Sequence, residues 1–254
     1  MDELKGLHRP LRIREKITEN QKTVSLVLDG SLECQPGQFA MLWMPGIDEK
    51  PFSISGNDPL MFTVSRVGPF SEALHALQPG HTLWVRGPFG NGFSLTPGCT
   101  LLVGGGYGAA PLAFLAGALR AADRKVQVEA ALGARTAEDL LFVRRFSALG
   151  VPVHAATDDG SAGAAGLVTD SARPLVASGR FSRVRACGPE PMLEAVAALC
   201  RSTGVAAELS YEAYMRCGVG LCGACEHAGR LVCMDGPVFT VMDARHVGQA
   251  ILRS

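Results

Sequence analysis

The stretch Thr100-Leu101-Leu102-Val103-Gly104-Gly105-Gly106-Tyr107-Gly108-Ala109-Ala110-Pro111 separates two kinds of pattern in the chain. Leu101-Leu102-Val103 is a short apolar run that stops at glycine, as a strand buried on both faces does. The glycines at 104, 105, 106 and 108 make a tight turn, and Ala110 to Ala122 continues as a helix rich in alanine and leucine. A strand, glycine turn and helix in this order let a dinucleotide lie against bare backbone with its phosphates at the helix start. The spacing is not a strict G-x-G-x-x-G, and a tight turn here needs glycine for packing alone. From Thr100 to Leu119 no residue carries a formal charge, and the stretch is long enough to cross a bilayer. Five glycines and Pro111 within it argue for a buried strand–helix unit instead.

Downstream, strand and helix alternate. Val126–Leu132, Val151–Ala155 and Arg183–Ala186 read as strands, and Glu138–Leu149 and Pro191–Thr203 as helices. That alternation argues a parallel sheet covered on both faces. Ser161–Gly166 is a small-residue loop. Cys187-Gly188-Pro189 ends one strand just before a helix, and Cys187 taken alone is a small buried apolar residue. Upstream the pattern is all-β. Runs such as Thr23–Leu28 and Leu60–Val64 are separated by the turn signals Asp29-Gly30, Pro45-Gly46 and Pro79-Gly80. Several strands at short intervals predict a small barrel, with Glu72–Leu77 as its one helix. The expected division is residues 1–97 for the barrel, 98–207 for the α/β domain and 208–254 for a C-terminal module.

Composition bounds the partners. Lys plus Arg equals Asp plus Glu, at 24 each, which gives no reason to expect nucleic acid or an anionic membrane. Apolar residues at 47% can build a sizeable core. The polar start, Met1-Asp2-Glu3-Leu4-Lys5, lacks the apolar core of a signal peptide, so a cytoplasmic protein is expected.

Of the eight cysteines, Cys34, Cys99, Cys187 and Cys200 are scattered, whereas Cys217, Cys222, Cys225 and Cys233 lie close together. Clustered cysteines in a cytosolic chain point to metal or redox work before disulfides. C-x4-C-x2-C followed by a further cysteine is the plant-type spacing for a [2Fe–2S] cluster. Thiolates hold ferric iron well, and Gly218, Gly220 and Gly223 let backbone N–H groups approach the sulfides. Zinc prefers two short C-x2-C pairs, and the first gap here holds four residues. His227 lies in the loop, but four cysteines leave it no place as a ligand. A module of this size has too little core to fold alone, and a metal centre would supply the missing stability.

Three upstream segments resemble the ferredoxin-reductase superfamily: Lys50-Pro51-Phe52-Ser53-Ile54-Ser55, Gly68-Pro69-Phe70-Ser71 and Gly87-Pro88-Phe89-Gly90-Asn91-Gly92-Phe93. The resemblance implies FAD on the barrel. Lys50, Pro51, Phe52 and Ser53 would line the isoalloxazine and ribityl chain. Val64, Ser65 and Arg66 would meet the adenine side, and Phe70 and Ser71 would flank the pyrophosphate. Lys50 stands where that superfamily usually has arginine, and Phe70-Ser71 where it usually has Gly-Thr. NAD would lie over the turn of Gly104, Gly105, Gly106 and Gly108. Cys187, Gly188 and Pro189 would sit beside its nicotinamide, with Cys187 positioning the ring and not acting as a nucleophile. Arg135, Arg144 and Arg145 are candidates to meet a 2′-phosphate or to face solvent.

Glu212 to Cys225, Val232 to Phe239, and Thr157-Asp158-Asp159-Gly160-Ser161 followed by Gly166-Leu167-Val168-Thr169 narrow the resemblance. They look like the electron-transfer subunit of class 1B dihydroorotate dehydrogenase, over essentially the whole chain. That family implies a partner, an FMN-containing catalytic subunit, with two of each chain in a heterotetramer of pyrimidine biosynthesis. Electrons would pass from the FMN through the cluster and FAD to NAD. Other readings share the modules. They are the small subunit of an NADH-dependent ferredoxin:NADP oxidoreductase, the flavin subunit of a sulfhydrogenase, and a self-contained NADH-dependent reductase. A zinc-stabilised nucleotide-binding regulator is a different class and would be colourless.

Overall fold

In the N-terminal part, alternate residues of successive strands turn into a shared interior, and the strands close around it as a barrel. Val24, Leu26 and Leu28, Ala40 and Leu42, Leu60, Phe62 and Val64, and Leu83 and Val85 all point into one core. The computed structural model describes residues 6–241; the polar segment Met1–Lys5 and residues 242–254 of the expected C-terminal module lie outside the described residues. The barrel strands are β1 (Arg9–Thr18), β2 (Thr23–Leu28), β3 (Phe39–Met44), β4 (Asp48–Asn57), β5 (Leu60–Ser65) and β6 (Thr82–Phe89). They pair antiparallel in the order β1-β2-β5-β4-β3-β6, and β6 returns to β1, so no edge is left open. Helix α1 (Pro69–Ala76) starts three residues before the expected segment and seats Phe70 and Leu74 in the barrel core. Pro69 opens it, where its missing N–H costs nothing. The Ser71 hydroxyl accepts hydrogen bonds from the N–H groups of Val67 and Gly68, at 2.8 and 3.0 Å.

The second domain is a parallel sheet between two layers of helix. Its strands are β7 (Thr100–Gly105), β8 (Val128–Ala134), β9 (Val153–Thr157), β10 (Ala164–Ala165), β11 (Arg183–Cys187) and β12 (Ala206–Ser210). The helices are α2 (Ala109–Ala122), α3 (Val143–Ala148), α4 (Val168–Ala177) and α5 (Glu190–Thr203). Side chains of β7 alternate between the layers. Leu102 packs with α2 and α3, and Leu101 and Val103 pack with α4 and α5. The strand order is β10-β9-β8-β7-β11-β12, so the chain runs outward on one side of β7 and then crosses to the other. The reversal falls between β7 and β11. In open sheets of this kind, ligands lie in the crevice beyond the strand ends at that point.

Two expectations are corrected here. The helix expected over Glu138–Leu149 is a single 3₁₀ turn at Ala137–Asp139 followed by the short α3. Phe142 breaks it: its backbone is left-handed (φ 64°) and its ring is buried against the sheet. Helix α4 and strand β12 were not anticipated, and the expected boundary at 207/208 cuts through β12. The C-terminal segment forms a hairpin of β13 (Glu226–His227) and β14 (Arg230–Leu231), a turn of helix α6 (Val232–Asp235), and β15 (Val238–Thr240). Strand β15 pairs antiparallel with β12, so the cysteine module is sewn to the α/β sheet. It also rests on the barrel. The Asn91 side chain donates to the carbonyls of Met234 and Asp235, at 3.1 and 3.0 Å. Gly90 has φ 71°, and a Cβ there would meet the Gly236 carbonyl oxygen at 2.6 Å, so this approach requires glycine.

Candidate functional site

Barrel, sheet and cysteine module meet around a cleft of about 590 Å³, within the roughly 300–1,000 Å³ of small-molecule sites. The barrel contributes Lys50, Pro51, Phe52 and Ser53 of β4 and Thr63 and Ser65 of β5. The start of α1 adds Phe70 and Ser71, and the α/β domain adds Tyr107, Gly108 and Cys187. The third wall is one continuous segment, Tyr211-Glu212-Ala213-Tyr214-Met215, which leaves β12 and runs to Cys217.

The sequence-derived candidates divide on this geometry. Lys50, Pro51, Phe52, Ser53, Ser65, Phe70, Ser71, Gly108 and Cys187 face the cleft. Val64 does not. Strand alternation turns its side chain into the barrel core, leaving Thr63 and Ser65 on the cleft side. Arg66 is exposed and donates to the Gln21 carbonyl at 3.4 Å. Gly104, Gly105 and Gly106 lie behind the lining, at the end of β7. Gly188 and Pro189 lie against Gly105: a Cβ on Gly105 would meet Pro189 at 2.9 Å and one on Gly188 would meet the Gly105 nitrogen at 3.0 Å. These glycines therefore let the ends of β7 and β11 touch. Arg145 is spoken for, since its guanidinium stacks on Phe142 and reaches the Met61 sulfur at 3.5 Å.

Charges in the cleft are few. The Lys50 ammonium pairs with Asp48 at 2.8 Å and lies over the Tyr214 ring. The hydrogen bond from Lys50 holds the Asp48 carboxyl below its ordinary range. Burial pushes the Cys187 thiol up to about 12, which keeps it neutral. Two residues that motif reading passed over meet here. The Tyr107 hydroxyl donates to Glu212 Oε2 at 3.0 Å. Burial raises the Glu212 carboxyl, with the Tyr107 hydrogen bond opposing. Burial and the Glu212 charge raise Tyr107 as well. The one signal in the sequence was a bulky tyrosine inside a glycine turn.

The four clustered cysteines lie between the end of the cleft wall and α6. Cys225 and Cys233 are buried, Cys217 is half-buried and Cys222 is exposed. Backbone N–H groups point at the sulfurs, from Val219 to Cys217 at 3.4 Å, Gly220 to Cys233 at 3.3 Å and Cys233 to Cys225 at 3.5 Å. Gly218 and Gly220 have φ of 71° and 76°, the left-handed turns that aim those N–H groups inward. Three thiols met by backbone donors, with Cys222 open at the rim, offer the donor chemistry a [2Fe–2S] cluster needs, thiolates for its irons and N–H groups for its sulfides; among the described residues these side chains do not stand in a ready-made metal-holding array. Met215, Cys225 and Cys233 pack into one apolar cluster with Phe39, Phe89 and Phe239. Met215 thus touches the cleft on one side and the thiol site on the other.

Barrel, doubly covered sheet, shared cleft and thiol loop define a ferredoxin-reductase-like electron-transfer protein carrying an iron–sulfur module. The family profile described as the iron-sulfur cluster binding domain of dihydroorotate dehydrogenase B matches residues 212–244. Two archaeal relatives carry the name "Probable dihydroorotate dehydrogenase B (NAD(+)), electron transfer subunit". The Methanocaldococcus jannaschii protein is 39% identical over 90% of this chain and 88% of its own. The Methanothermobacter thermautotrophicus protein is 43% identical over 87% and 84%. The chain belongs to this family of dihydroorotate dehydrogenase B electron-transfer subunits. Among solved structures, that of an NADH-dependent reduced ferredoxin-NADP oxidoreductase, studied for flavin-based electron bifurcation, superposes with a TM-score of 0.83 and 29% identity, covering 94% of this chain and 93% of that one. The cytochrome b5 reductase domain of Ulva prolifera nitrate reductase shares the fold, with a TM-score of 0.65 and 19% identity over 78% of this chain and 93% of that one.

Proposed function

We propose that this chain carries electrons from an FMN-containing catalytic subunit, where dihydroorotate is oxidised, to NAD, through a [2Fe–2S] cluster and FAD, in a cytoplasmic assembly of two chains of each kind. The observation that carries the reading is the shared wall: Tyr211–Met215 lines the cleft and delivers the chain directly to Cys217. When bound, FAD exchanges electrons singly with the cluster and in pairs with the nicotinamide. The residues proposed for each task are those that line the cleft or the cysteine loop. Lys50, Phe52 and Ser53 would hold the isoalloxazine against the barrel, with Ser65 toward the adenine side. The start of α1, with Phe70 and Ser71, would receive the pyrophosphate. Gly108 and Cys187, at the ends of β7 and β11, would admit the nicotinamide edge. Cys217, Cys222, Cys225 and Cys233 would ligate the cluster. Its rim is apolar and open: Leu221 is 85% exposed and Met234 52% exposed, beside the exposed Cys222. Exposed apolar side chains beside the cysteine loop would suit contact with a partner protein. Among the described residues no helix is long and apolar enough to cross a membrane.

The test is an anaerobic pull-down of the tagged chain from its native cells, assayed for dihydroorotate-dependent NAD reduction. Activity in the eluate, with an FMN protein attached, is the expected result. A stable complex without that activity would move the chain to a sister complex, such as the bifurcating oxidoreductase whose structure it resembles, and the co-purified partner would name it.

A further inference from the structure

Resting on a flavin in this cleft, we propose that Glu212 is the proton-holding residue of the site, passing a proton to the flavin ring as electrons arrive from the cluster and taking it back when they flow the other way. The need is chemical. Reducing NAD takes two electrons and one proton, carried together as hydride, whereas an iron–sulfur cluster delivers electrons alone. One proton must therefore enter the cleft for each NAD reduced. The balance is simple: the O–H bond of Glu212 breaks, an N–H bond forms on the flavin as it gains two electrons from the cluster, and the carboxylate takes a new proton from cleft water.

Geometry singles out Glu212 for this. Its carboxyl stands in the wall between flavin cleft and cluster loop and is open to the cleft. It is met by the Tyr107 hydroxyl at 3.0 Å, and among the described residues no cation pairs with it. The groups facing it come from every neighbouring element. Tyr107 and Cys187 lie at the sheet end, Lys50 and Asp48 on the barrel rim, and Tyr211 and Tyr214 on its own segment. Glu190, His227 and Arg230 line a small pocket on its other side. Lys50 is engaged by Asp48, and His227 lies 3.9 Å from Glu190. Of the other acids in the cleft, Asp48 is held ionised by Lys50, while burial holds Tyr107, Tyr211 and Cys187 protonated. Exposed Tyr214 accepts a hydrogen bond from Arg216, which shifts it downward from the ordinary phenol value of about 10. The Glu212 carboxyl, reachable by solvent yet raised from its ordinary value by the desolvation of the cleft wall, with the Tyr107 hydrogen bond opposing, is the group in the lining placed to cycle.

The test uses the FAD-loaded full chain reducing ferricyanide with NADH, the reaction in reverse, where Glu212 must accept the proton as carboxylate. Wild-type kcat should rise with pH through the Glu212 pKa. E212Q, whose amide oxygen still accepts from Tyr107, should lose that limb and fall on the order of 100-fold in kcat with KM for NADH unchanged. Y107F removes a donor that favours the ionised form, so its limb should move to higher pH. Infrared titration of the flavin-free chain should show a protonated-carboxyl band above the ordinary glutamate range, absent in E212Q. That band and the Y107F shift decide the matter should E212Q fail to hold flavin. An E212Q profile matching wild type, or a raised KM at unchanged kcat, would overturn the proposal while leaving the flavin reading intact. Failure of the wild-type chain to retain FAD would instead sink the reading on which it rests.

Discussion

Arg185 is the largest fully buried side chain among the described residues, and replacing it tests what holds the two domains in register. Its guanidinium donates to Glu208 Oε2 at 2.7 Å, the Thr100 hydroxyl at 2.7 Å and the Ser94 carbonyl at 2.8 Å. Three strands' worth of sequence and the link leaving the barrel are therefore pinned by one planar fork. R185A would leave the Glu208 carboxylate buried with the Ser94 N–H at 3.3 Å and Arg183 at 4.0 Å. Removing one partner of such a pair costs about 3–5 kcal/mol. That is a large part of the roughly 5–15 kcal/mol that keeps a domain folded. R185K keeps the charge but cannot reach all three acceptors, and should cost about half as much. The R185M/E208L double variant removes both charges and should recover most of the loss, because no ion is left stranded. Urea unfolding of the full chain, followed by circular dichroism and by flavin release, measures this. Flavin should leave R185A before the sheet unfolds, since Ser94 to Thr96 ties the barrel to the sheet. An R185A variant within about 0.5 kcal/mol of wild type, the scatter of ordinary surface substitutions, would refute the reasoning.

G108A should cost about 3 kcal/mol or more and weaken NADH binding, because its Cβ would meet the Cys187 carbonyl oxygen at 2.2 Å, a backbone atom that cannot turn aside. G106A, whose Cβ meets open space but whose φ is 54°, should cost only about 1–2 kcal/mol; thermal melts and NADH titrations of the pair separate packing from conformation. Native Cys187 should resist alkylation at pH 8, since burial pushes its thiol up to about 12, and react only on unfolding, as mass spectrometry of the labelled peptide would show. Serine at Cys225 or Cys233, both buried among Met215, Phe39 and Phe239, should abolish the visible absorption of the cluster and loosen the module, read as protease cleavage between 212 and 235.

Local patterns were legible where physics is local. The apolar run of β7 and its glycines announced a strand, turn and helix before any coordinates, because burial on two faces and close approach constrain residue type directly. The cysteine spacing did the same for the thiol site, where four sulfurs must reach one small cluster. Helix α4 escaped notice because Pro174 and its polar face blur the helical period, and α3 was overdrawn because the left-handed turn at Phe142 is set by where its ring must be buried.

What the sequence by itself determined was the order of modules, the cysteine loop and the barrel edge that lines the cleft, since each is written in contiguous residues. Which side chains face the cleft was decided by tertiary structure. Strand alternation turned Val64 inward and left Thr63 and Ser65 on the cleft side. The return of β15 to β12 joined the cysteine module to the sheet. The pairing of Tyr107 with Glu212 brought together residues 105 positions apart. A carboxyl's affinity for its proton depends on the water it loses and the partners it gains, and both come from distant parts of the chain.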